Sequence, residues 1–171
     1  AMFGGGNTAE GIEALHLSAE SSQETISEAQ RLSDEICQML LAAGYFRARI
    51  PQLPPFDKML GGLAWCITAS NVDVDVDLHF DEEMTLGQKI KLGENVIAAL
   101  RKMECPCLLQ PHQLQGLDFQ ALFLVFQWLV KHVLSRREEL AAKTRRFAEM
   151  KFQKSNHQLA EEVEESERRA K

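Results

Sequence analysis

A long apolar stretch, residues 117–134, dominates the hydrophobic pattern of the chain. Thirteen of its eighteen residues are apolar, and its polar residues Gln120, Gln127 and Lys131 fall at positions i, i+7 and i+11. An α-helix has about 3.6 residues per turn, so these three side chains would share one narrow stripe. The pattern therefore predicts a helix that is apolar around the rest of its circumference.

Such a helix either forms the centre of a core or crosses a membrane. A bilayer requires about 20 predominantly apolar residues, whereas this stretch is shorter and carries charged residues near both ends. We therefore expect no transmembrane segment and a buried central helix. Phe119, Phe123, Trp128 and their neighbours are predicted to be sealed inside a bundle of other helices.

Apolar residues at steps of three and four predict a helix over residues 23–43. Gly44 directly follows the last periodic residue, which is a typical helix end. The side chains expected to face the core are Ile26, Ala29, Leu32, Ile36, Leu40 and Ala43.

The two prolines at 54–55 predict the start of another helix, because proline suits a first helical turn, where its missing N–H costs nothing. This helix would continue to about Thr68 and would contain Gly61 and Gly62. Each glycine costs a helix about 1 kcal/mol, so we expect a second helix to approach closely at this point. Trp65 is expected to anchor the helix in the core.

Thr85 and Gln88 match the capping-box pattern at a helix start. The helix should extend to about Met103, and a short helical turn over residues 111–116 should follow it. Asp118 then lies where the central helix begins, a position that favours a negative charge. The side chains of the third helix expected to face the core are Leu86, Ile90, Val96 or Ile97, Leu100 and Met103.

Residues 72–80 alternate strictly between apolar and polar side chains. Such alternation is typical of a β-strand, but the sequence contains no second strand candidate with which it could pair. We therefore expect an extended segment laid over the helices, or at most a short hairpin, with Val72, Val74, Val76 and Leu78 facing inward. The predicted fold class is all-α, a helical bundle with one short extended segment and a C-terminal helical extension.

Composition divides the chain into three parts. Residues 1–22 are rich in Gly, Ser, Ala and Glu, which predicts a disordered leader. Residues 23–139 form the predicted domain. Residues 140–171 are highly charged and form a predicted helical extension that leads toward a coiled coil, although heptads are not sustained within it.

The overall charge of −6 and a pI near 5.4 argue against a nucleic-acid partner. The four cysteines follow no secretory signal, so a reducing, cytoplasmic setting is favoured over a disulfide framework. From Lys131 to Lys154, however, eight Lys and Arg residues stand against three Glu. Six of these eight residues are the candidate partner-binding surface, and we call them the basic run: Lys131, Arg136, Arg137, Lys143, Arg145 and Arg146.

Asp73 and Asp75 are the sharpest enzymatic candidate, because two carboxylates on one strand face after the pair Gly61-Gly62 are typical of nucleotidyltransferases. In those enzymes the aspartates hold Mg²⁺. That chemistry requires several strands, and the sequence offers one candidate. An acidic face exposed to solvent is the favoured interpretation, so no catalytic residue is predicted.

Two metal sites are weaker alternatives. The repeated aspartates of residues 73–77 could begin a calcium loop, but Leu78 replaces the glycine that an EF-hand requires. Cys105, Cys107 and His112 could bind zinc, but a fourth ligand is missing and the cysteine spacing is short. We predict neither a metal nor a cofactor.

Five strings in this order carry a family resemblance: LLAAGYFRARI, PPFDKMLGGLAWCIT, DVDVDLHF, TLGQKIKLGENV and PHQLQGLDFQALFLVFQWLVK. Over about residues 40–137 the chain resembles the N-terminal variant calponin-homology (NN-CH) domains of the coiled-coil domain-containing protein 93 family. The resemblance implies a divergent calponin-homology-like helical bundle without catalytic activity. It does not extend to the leader or to the tail after Glu139.

The resemblance implies a protein-interaction domain of a cytosolic coiled-coil scaffold. That scaffold would act in endosomal cargo recycling, peripheral on endosomes, with partners like coiled-coil domain-containing protein 22 and COMMD subunits. An alternative is a microtubule-binding or tubulin-binding calponin-homology domain of a ciliary or cytoskeletal protein, which could use Lys58, Lys89, Lys91 and Lys102 besides the basic run. The nucleotidyltransferase with Asp73 and Asp75 is a remote alternative.

Overall fold

The computed structural model describes the backbone of residues 8–170 and the side chains of residues 23–170. Within this part of the chain all regular structure is helical, and no residue belongs to a β-strand. The all-α prediction is therefore confirmed. The elements are α1 (Thr8–Ala43), a 3₁₀ helix (Phe46–Arg49), α2 (Pro55–Ala69), α3 (Leu86–Lys102), α4 (Pro111–Gln115) and α5 (Phe119–Arg169).

Contacts divide the chain into two units, the first ending at Lys131 and the second beginning at His132. The first unit contains α1 to α4, the beginning of α5 and the extended segment 72–80. The second unit is helical up to Arg169. The predicted domain limits of 23–139 remain a prediction.

Helix α1 begins at Thr8 and not near Gln23. Residues 8–22 contain no proline and many helix-favouring Ala, Glu and Leu residues, so nothing in their composition interrupts the helix. The predicted disordered leader, residues 1–22, thus differs from the structure from Thr8 onward, and its first seven residues lie outside the described part of the chain.

The core-facing side of α1 is largely as predicted, since Leu32, Ile36, Leu40 and Ala43 are buried. Ile26 is the exception, because its side chain is exposed and packing begins further along the helix. The predicted end at Gly44 is confirmed.

The end of α1 has the geometry of a Schellman motif. Gly44 adopts a φ of 110°, a left-handed conformation that favours glycine. The Tyr45 N–H donates to the Leu40 carbonyl at 2.8 Å. The motif thereby turns the chain directly into Tyr45 and the 3₁₀ helix.

Helix α2 matches its prediction to within one residue at each end. A Cβ at Gly62 would lie 2.8 Å from the Leu40 Cδ1 atom of α1 and 3.3 Å from the Phe126 ring of α5. The expected close approach of other helices is therefore confirmed. Trp65, in contrast, is half-buried and is not a core anchor.

Replacing Gly62 by alanine is expected to lower the free energy of unfolding by about 1–3 kcal/mol through overpacking. Alanine improves helix propensity by about 1 kcal/mol, but Leu40 and Phe126 are fully buried and cannot swing aside. Gly87→Ala is the matched control, because a Cβ at this α3 position would meet no atom within 4 Å. Urea denaturation should show Gly62→Ala losing stability and Gly87→Ala keeping or gaining it, and equal stabilisation by both would contradict the packing account.

Residues 72–80 form the expected extended segment. Its apolar side chains are half-buried and its aspartates and His79 are exposed, in strict alternation. Asn95 of α3 donates to the Asp77 carbonyl at 3.0 Å. Phe80 lies 3.0 Å from the position of a Cβ at Gly61, so the segment is held against both α3 and α2.

The capping box at the start of α3 is confirmed. The Thr85 N–H donates to Gln88 Oε1 at 2.9 Å, and the Gln88 N–H donates to Thr85 Oγ1 at 3.4 Å. Val96, Ile97 and Leu100 are buried as predicted. Leu86 was expected to face the core but is exposed, because the first turn of α3 precedes the packed part of the helix.

Helix α4 matches the predicted short turn, and Asp118 Oδ1 accepts a hydrogen bond from the Ala121 N–H at the start of α5. Within the first unit, α5 buries Leu122, Val125, Phe126 and Leu129. Three further positions, 119, 123 and 128, are only half-buried. The prediction that Phe119, Phe123 and Trp128 are sealed inside the bundle is therefore wrong.

Candidate functional site

Asp73 and Asp75 lie on the exposed side of the segment 72–80. The Asp75 carboxylate forms an ion pair with Lys102 Nζ at 3.3 Å. A nucleotidyltransferase requires a sheet to hold its carboxylates, and residues 8–170 contain none. The two aspartates are therefore part of an acidic surface exposed to solvent, which is the interpretation favoured by the sequence.

No group of three or more His, Cys, Asp or Glu side chains that could hold a metal occurs in the described part of the chain. The Asp77 carboxylate accepts a hydrogen bond from the His79 N–H at 3.0 Å, which closes a local turn and not a calcium loop. Cys105 is buried, whereas His112 is exposed. The candidate zinc ligands thus occupy different environments.

The four cysteines are free thiols. Cys66 is fully buried, and burial raises the pKa of its thiol to about 12. Burial also raises the pKa values of Cys37 and Cys105. A nucleophilic cysteine requires a lowered pKa, so these three thiols are poor nucleophiles.

The members of the basic run all lie on α5, but they do not share one side of the helix. Arg136 and Lys143 are seven residues apart and face the same way, while Arg145 lies about 200° around the helix from Lys143. Arg136 is also paired with Glu139 at 3.2 Å. Lys131, Arg137 and Arg146 point in still other directions, so the basic run is distributed around α5 and does not form one basic face. Its role in partner binding remains a prediction.

Two of the four lysines considered for tubulin binding are engaged in ion pairs. Lys89 Nζ lies 2.8 Å from Asp57 Oδ2, and the side chains of both residues are nearly buried. Lys102 is paired with Asp75. These contacts reduce the positive charge that the first unit can offer to an acidic surface such as tubulin.

A groove in the first unit lies between α2 and the segment 72–80. Its volume is about 660 Å³. We call it the α2 groove, and its main lining side chains are Tyr45, Trp65, Val72, Val76 and Phe80, with Arg47 and Asp77 among its polar lining residues. The Tyr45 and Trp65 ring centroids are 5.7 Å apart at an interplanar angle of 41°. The groove therefore has an aromatic wall.

Tyr45 is only 5% exposed, and no group in residues 23–170 accepts a hydrogen bond from its hydroxyl. A buried polar group without a partner costs about 1–3 kcal/mol. Burial raises the pKa of Tyr45 to about 12. The hydroxyl is thus a neutral donor without an acceptor, and it lies directly beside Gly61.

Sequence reasoning missed both the α2 groove and the Asp57–Lys89 ion pair. Asp57 could have been noticed, because residues 57, 60, 61 and 64 share one side of α2 and the other three are apolar or glycine. A charged residue on an apolar helix face is a signal for a buried partner. The Tyr45 hydroxyl carries no comparable signal in the sequence.

Among the helices of residues 8–170, none combines the length and hydrophobicity needed to cross a bilayer.

Comparison with known proteins gives a consistent result. The family described as CCDC93 protein N-terminal domain matches residues 27–135. Coiled-coil domain-containing protein 93 of Xenopus laevis is 53% identical over 137 residues, which cover 80% of this chain and 22% of that protein. The Homo sapiens protein of the same name is 53% identical over 121 residues, 71% of this chain and 19% of that protein.

A more distant relative is the coiled-coil domain-containing protein 93 homolog of Dictyostelium discoideum. It is 44% identical over 135 residues, which cover 79% of this chain and 21% of that protein. The chain therefore spans about a fifth of the length of the curated relatives that it matches.

Proposed function

Because the chain belongs to the family of CCDC93 N-terminal domains, we propose that it is a non-enzymatic protein-interaction domain of a coiled-coil scaffold protein. The observation that carries this proposal is the family match over residues 27–135, whose curated relatives are named as coiled-coil proteins. The helical fold of the first unit, with its buried thiols and exposed aspartates, is consistent with a binding role. We assign it the divergent calponin-homology (NN-CH) architecture.

The second unit supports a coiled-coil role through its exposed apolar residues. Leu140, Phe147 and Met150 are all more than half exposed, although each is large and apolar. Their spacing of seven and three residues places them on one side of the helix. Such a stripe is stabilised when another helix covers it, so the proposed partner of this tail is a coiled-coil helix.

The proposed setting is the cytoplasm, peripheral on endosomes, in a COMMD-containing complex for cargo recycling. The proposed partners are subunits like coiled-coil domain-containing protein 22 and COMMD proteins. The family resemblance supports this assignment. Tubulin binding is the less favoured alternative, because Lys89 is nearly buried in its ion pair with Asp57 and Asp75 lies beside Lys102, so two of the cations that it would use have acidic partners.

The proposal is tested with the full-length protein, affinity-tagged and recovered from cells under mild salt. Mass spectrometry should identify COMMD subunits and a second long coiled-coil protein in near-stoichiometric amounts. Recovery of tubulin in their place would favour the microtubule alternative. Recovery of neither would reject the scaffold proposal.

The double variant Leu140→Ser with Phe147→Ser is expected to weaken capture of the partner helix by the 171-residue chain by about tenfold. Each substitution removes apolar area from the proposed contact, and a tenfold change corresponds to about 1.4 kcal/mol. The melting temperature of the first unit should not change, because both residues are exposed and lie in the second unit.

The matched control is Leu86→Ser with Leu108→Ser. These two leucines are somewhat more exposed than Leu140 and Phe147 and lie in the first unit. Capture of the partner helix, measured by co-expression and quantitative pull-down, should be retained by the control. Equal losses in both double variants would show that the stripe on the second unit has no special role.

A further inference from the structure

The α2 groove has the properties of a docking site and lies wholly within the first unit. Tyr45 and Trp65 form an aromatic wall, and Val72 and Val76 add apolar surface from the opposite side. Its volume of about 660 Å³ is within the usual range of ligand sites and exceeds that of one large side chain. The groove can therefore hold an aromatic or long aliphatic side chain.

The Tyr45 hydroxyl indicates that the molecule bound in the groove also provides a hydrogen-bond acceptor. This side chain lines the groove, is more than nine-tenths buried and has no acceptor within residues 23–170. A Cβ at Gly61 would collide with the hydroxyl, so the glycine allows the hydroxyl to occupy this position. A backbone carbonyl that reaches the base of the groove would supply the acceptor that the protein itself does not.

The rim of the groove determines the charge of the occupant. Residues 73–83 contain six carboxylates, of which Asp77 lines the groove and the others lie along the same stretch of chain: Asp73, Asp75, Asp77, Asp81, Glu82 and Glu83. Among the side chains of residues 23–170, two of these carboxylates have a cationic partner, since Asp75 pairs with Lys102 and Glu82 pairs with Arg47 at 3.5 Å. The surface along this stretch, which we call the rim, is therefore acidic and attracts positively charged segments.

We propose that the α2 groove binds a basic peptide segment of a partner protein, in which an apolar side chain flanked by Lys or Arg enters between Trp65 and Val76. The backbone of that segment accepts a hydrogen bond from Tyr45, and its cations lie along the aspartates of the segment 72–80. This inference rests on the proposed interaction function and identifies the surface and the partner chemistry that it uses.

A short probe tests the chemistry directly. The probe is a capped pentapeptide with a central phenylalanine between two lysines on each side, titrated into the ¹⁵N-labelled 171-residue chain. We expect weak binding, with a Kd of about 1 mM. The Trp65 indole N–H and the backbone amides of residues 72–80 should shift, while the Trp128 indole N–H should not.

The same pentapeptide with glutamates in place of lysines should bind at least tenfold more weakly. The inference is rejected if neither peptide shifts the Trp65 resonance, if both bind equally, or if the shifts lie mainly on α5. Self-association of the chain at the groove would appear as concentration-dependent shifts without any peptide, and it would also reject the proposal.

Tyr45→Phe separates a binding role from a structural one. Removing an unpartnered buried hydroxyl should leave the urea midpoint of the free chain unchanged or higher. Affinity for the lysine pentapeptide should nevertheless fall by about fivefold, because the proposed hydrogen bond is lost. A lower urea midpoint together with unchanged affinity would show that the hydroxyl serves the fold and not the occupant.

Charge reversal at the carboxylate that lines the groove provides the second variant. Asp77→Lys should weaken binding of the lysine pentapeptide several-fold at low salt. Glu94→Lys is the matched control, since it makes the same charge change at an exposed position outside the groove lining. Equal effects would indicate attraction to overall charge and not to the rim.

Failure of this inference can be distinguished from failure of the proposed function. If full-length protein recovers its partners while Tyr45→Phe and Asp77→Lys recover them equally well, binding at the α2 groove is rejected and the scaffold function stands. If no partner is recovered, the scaffold function is rejected whatever the pentapeptide does.

Discussion

Phe126→Ala is expected to lower the free energy of unfolding of the first unit by about 4 kcal/mol. Phe126 is fully buried on α5, and its ring lies beside Gly62 of α2. Truncating a buried phenylalanine removes its transfer energy and leaves a cavity, which together cost about 3–5 kcal/mol. Since whole domains are stable by only about 5–15 kcal/mol, this one substitution should bring the first unit close to its unfolding threshold.

The control is Leu124→Ala, two residues earlier on the same helix. Its side chain is 52% exposed, so we expect a loss below about 1 kcal/mol. Urea denaturation followed by tryptophan fluorescence reports on the first unit, because Trp65 and Trp128 both belong to it. Similar losses for the two variants would mean that the face of α5 opposite its polar stripe is not the centre of the core.

The polar stripe of α5 predicted which side of the helix is buried better than the positions of its aromatic residues did. Gln120, Gln127 and Lys131 are exposed as predicted, and the residues on the opposite side of the helix are those that the structure buries. Phe119, Phe123 and Trp128 lie on the flanks of the helix, about 60–100° from the stripe. Their burial is therefore determined by their angular position on the helix and not by the size of their side chains.

The segment 72–80 illustrates what a local pattern can and cannot predict. Its alternation correctly predicted which side chains face inward, because an extended chain places successive side chains on opposite sides. The groove that this segment makes with α2 depends on tertiary placement, to which residues as distant as Asn95 contribute. The missing partner of the Tyr45 hydroxyl is likewise a property of the packed structure.

The ends of the helices were predictable where side chains bond to the local backbone. The Thr85–Gln88 capping box and the Gly44 helix end involve neighbouring residues only, so the sequence determines them. The start of α1 was not predicted, although Asn7 is a favoured N-cap residue directly before Thr8, because amphipathic packing begins much later. The beginning of that helix depends on helix propensity, which is a weaker signal.

The pair Asp57 and Lys89 leads to the second large effect. Their side chains are 7% and 15% exposed, and the ion pair joins α2 to α3 at 2.8 Å. Removing one partner leaves a buried charge without compensation, which costs about 3–5 kcal/mol. We therefore expect Asp57→Ala and Lys89→Met each to destabilise the first unit by about 3 kcal/mol.

The double variant Asp57→Ala with Lys89→Met should be less destabilised than the sum of the single variants, because no uncompensated charge remains buried. The expected coupling from the double-mutant cycle is about 2–3 kcal/mol, near the upper end for residues in contact. The matched comparison is the Asp75–Lys102 pair, whose side chains are 91% and 51% exposed at 3.3 Å. Solvent screens such a pair, so its cycle should give a coupling below about 1 kcal/mol. If the two cycles gave equal coupling, the Asp57–Lys89 contact would be no more than another surface ion pair, and the α2–α3 interface would depend on apolar packing alone.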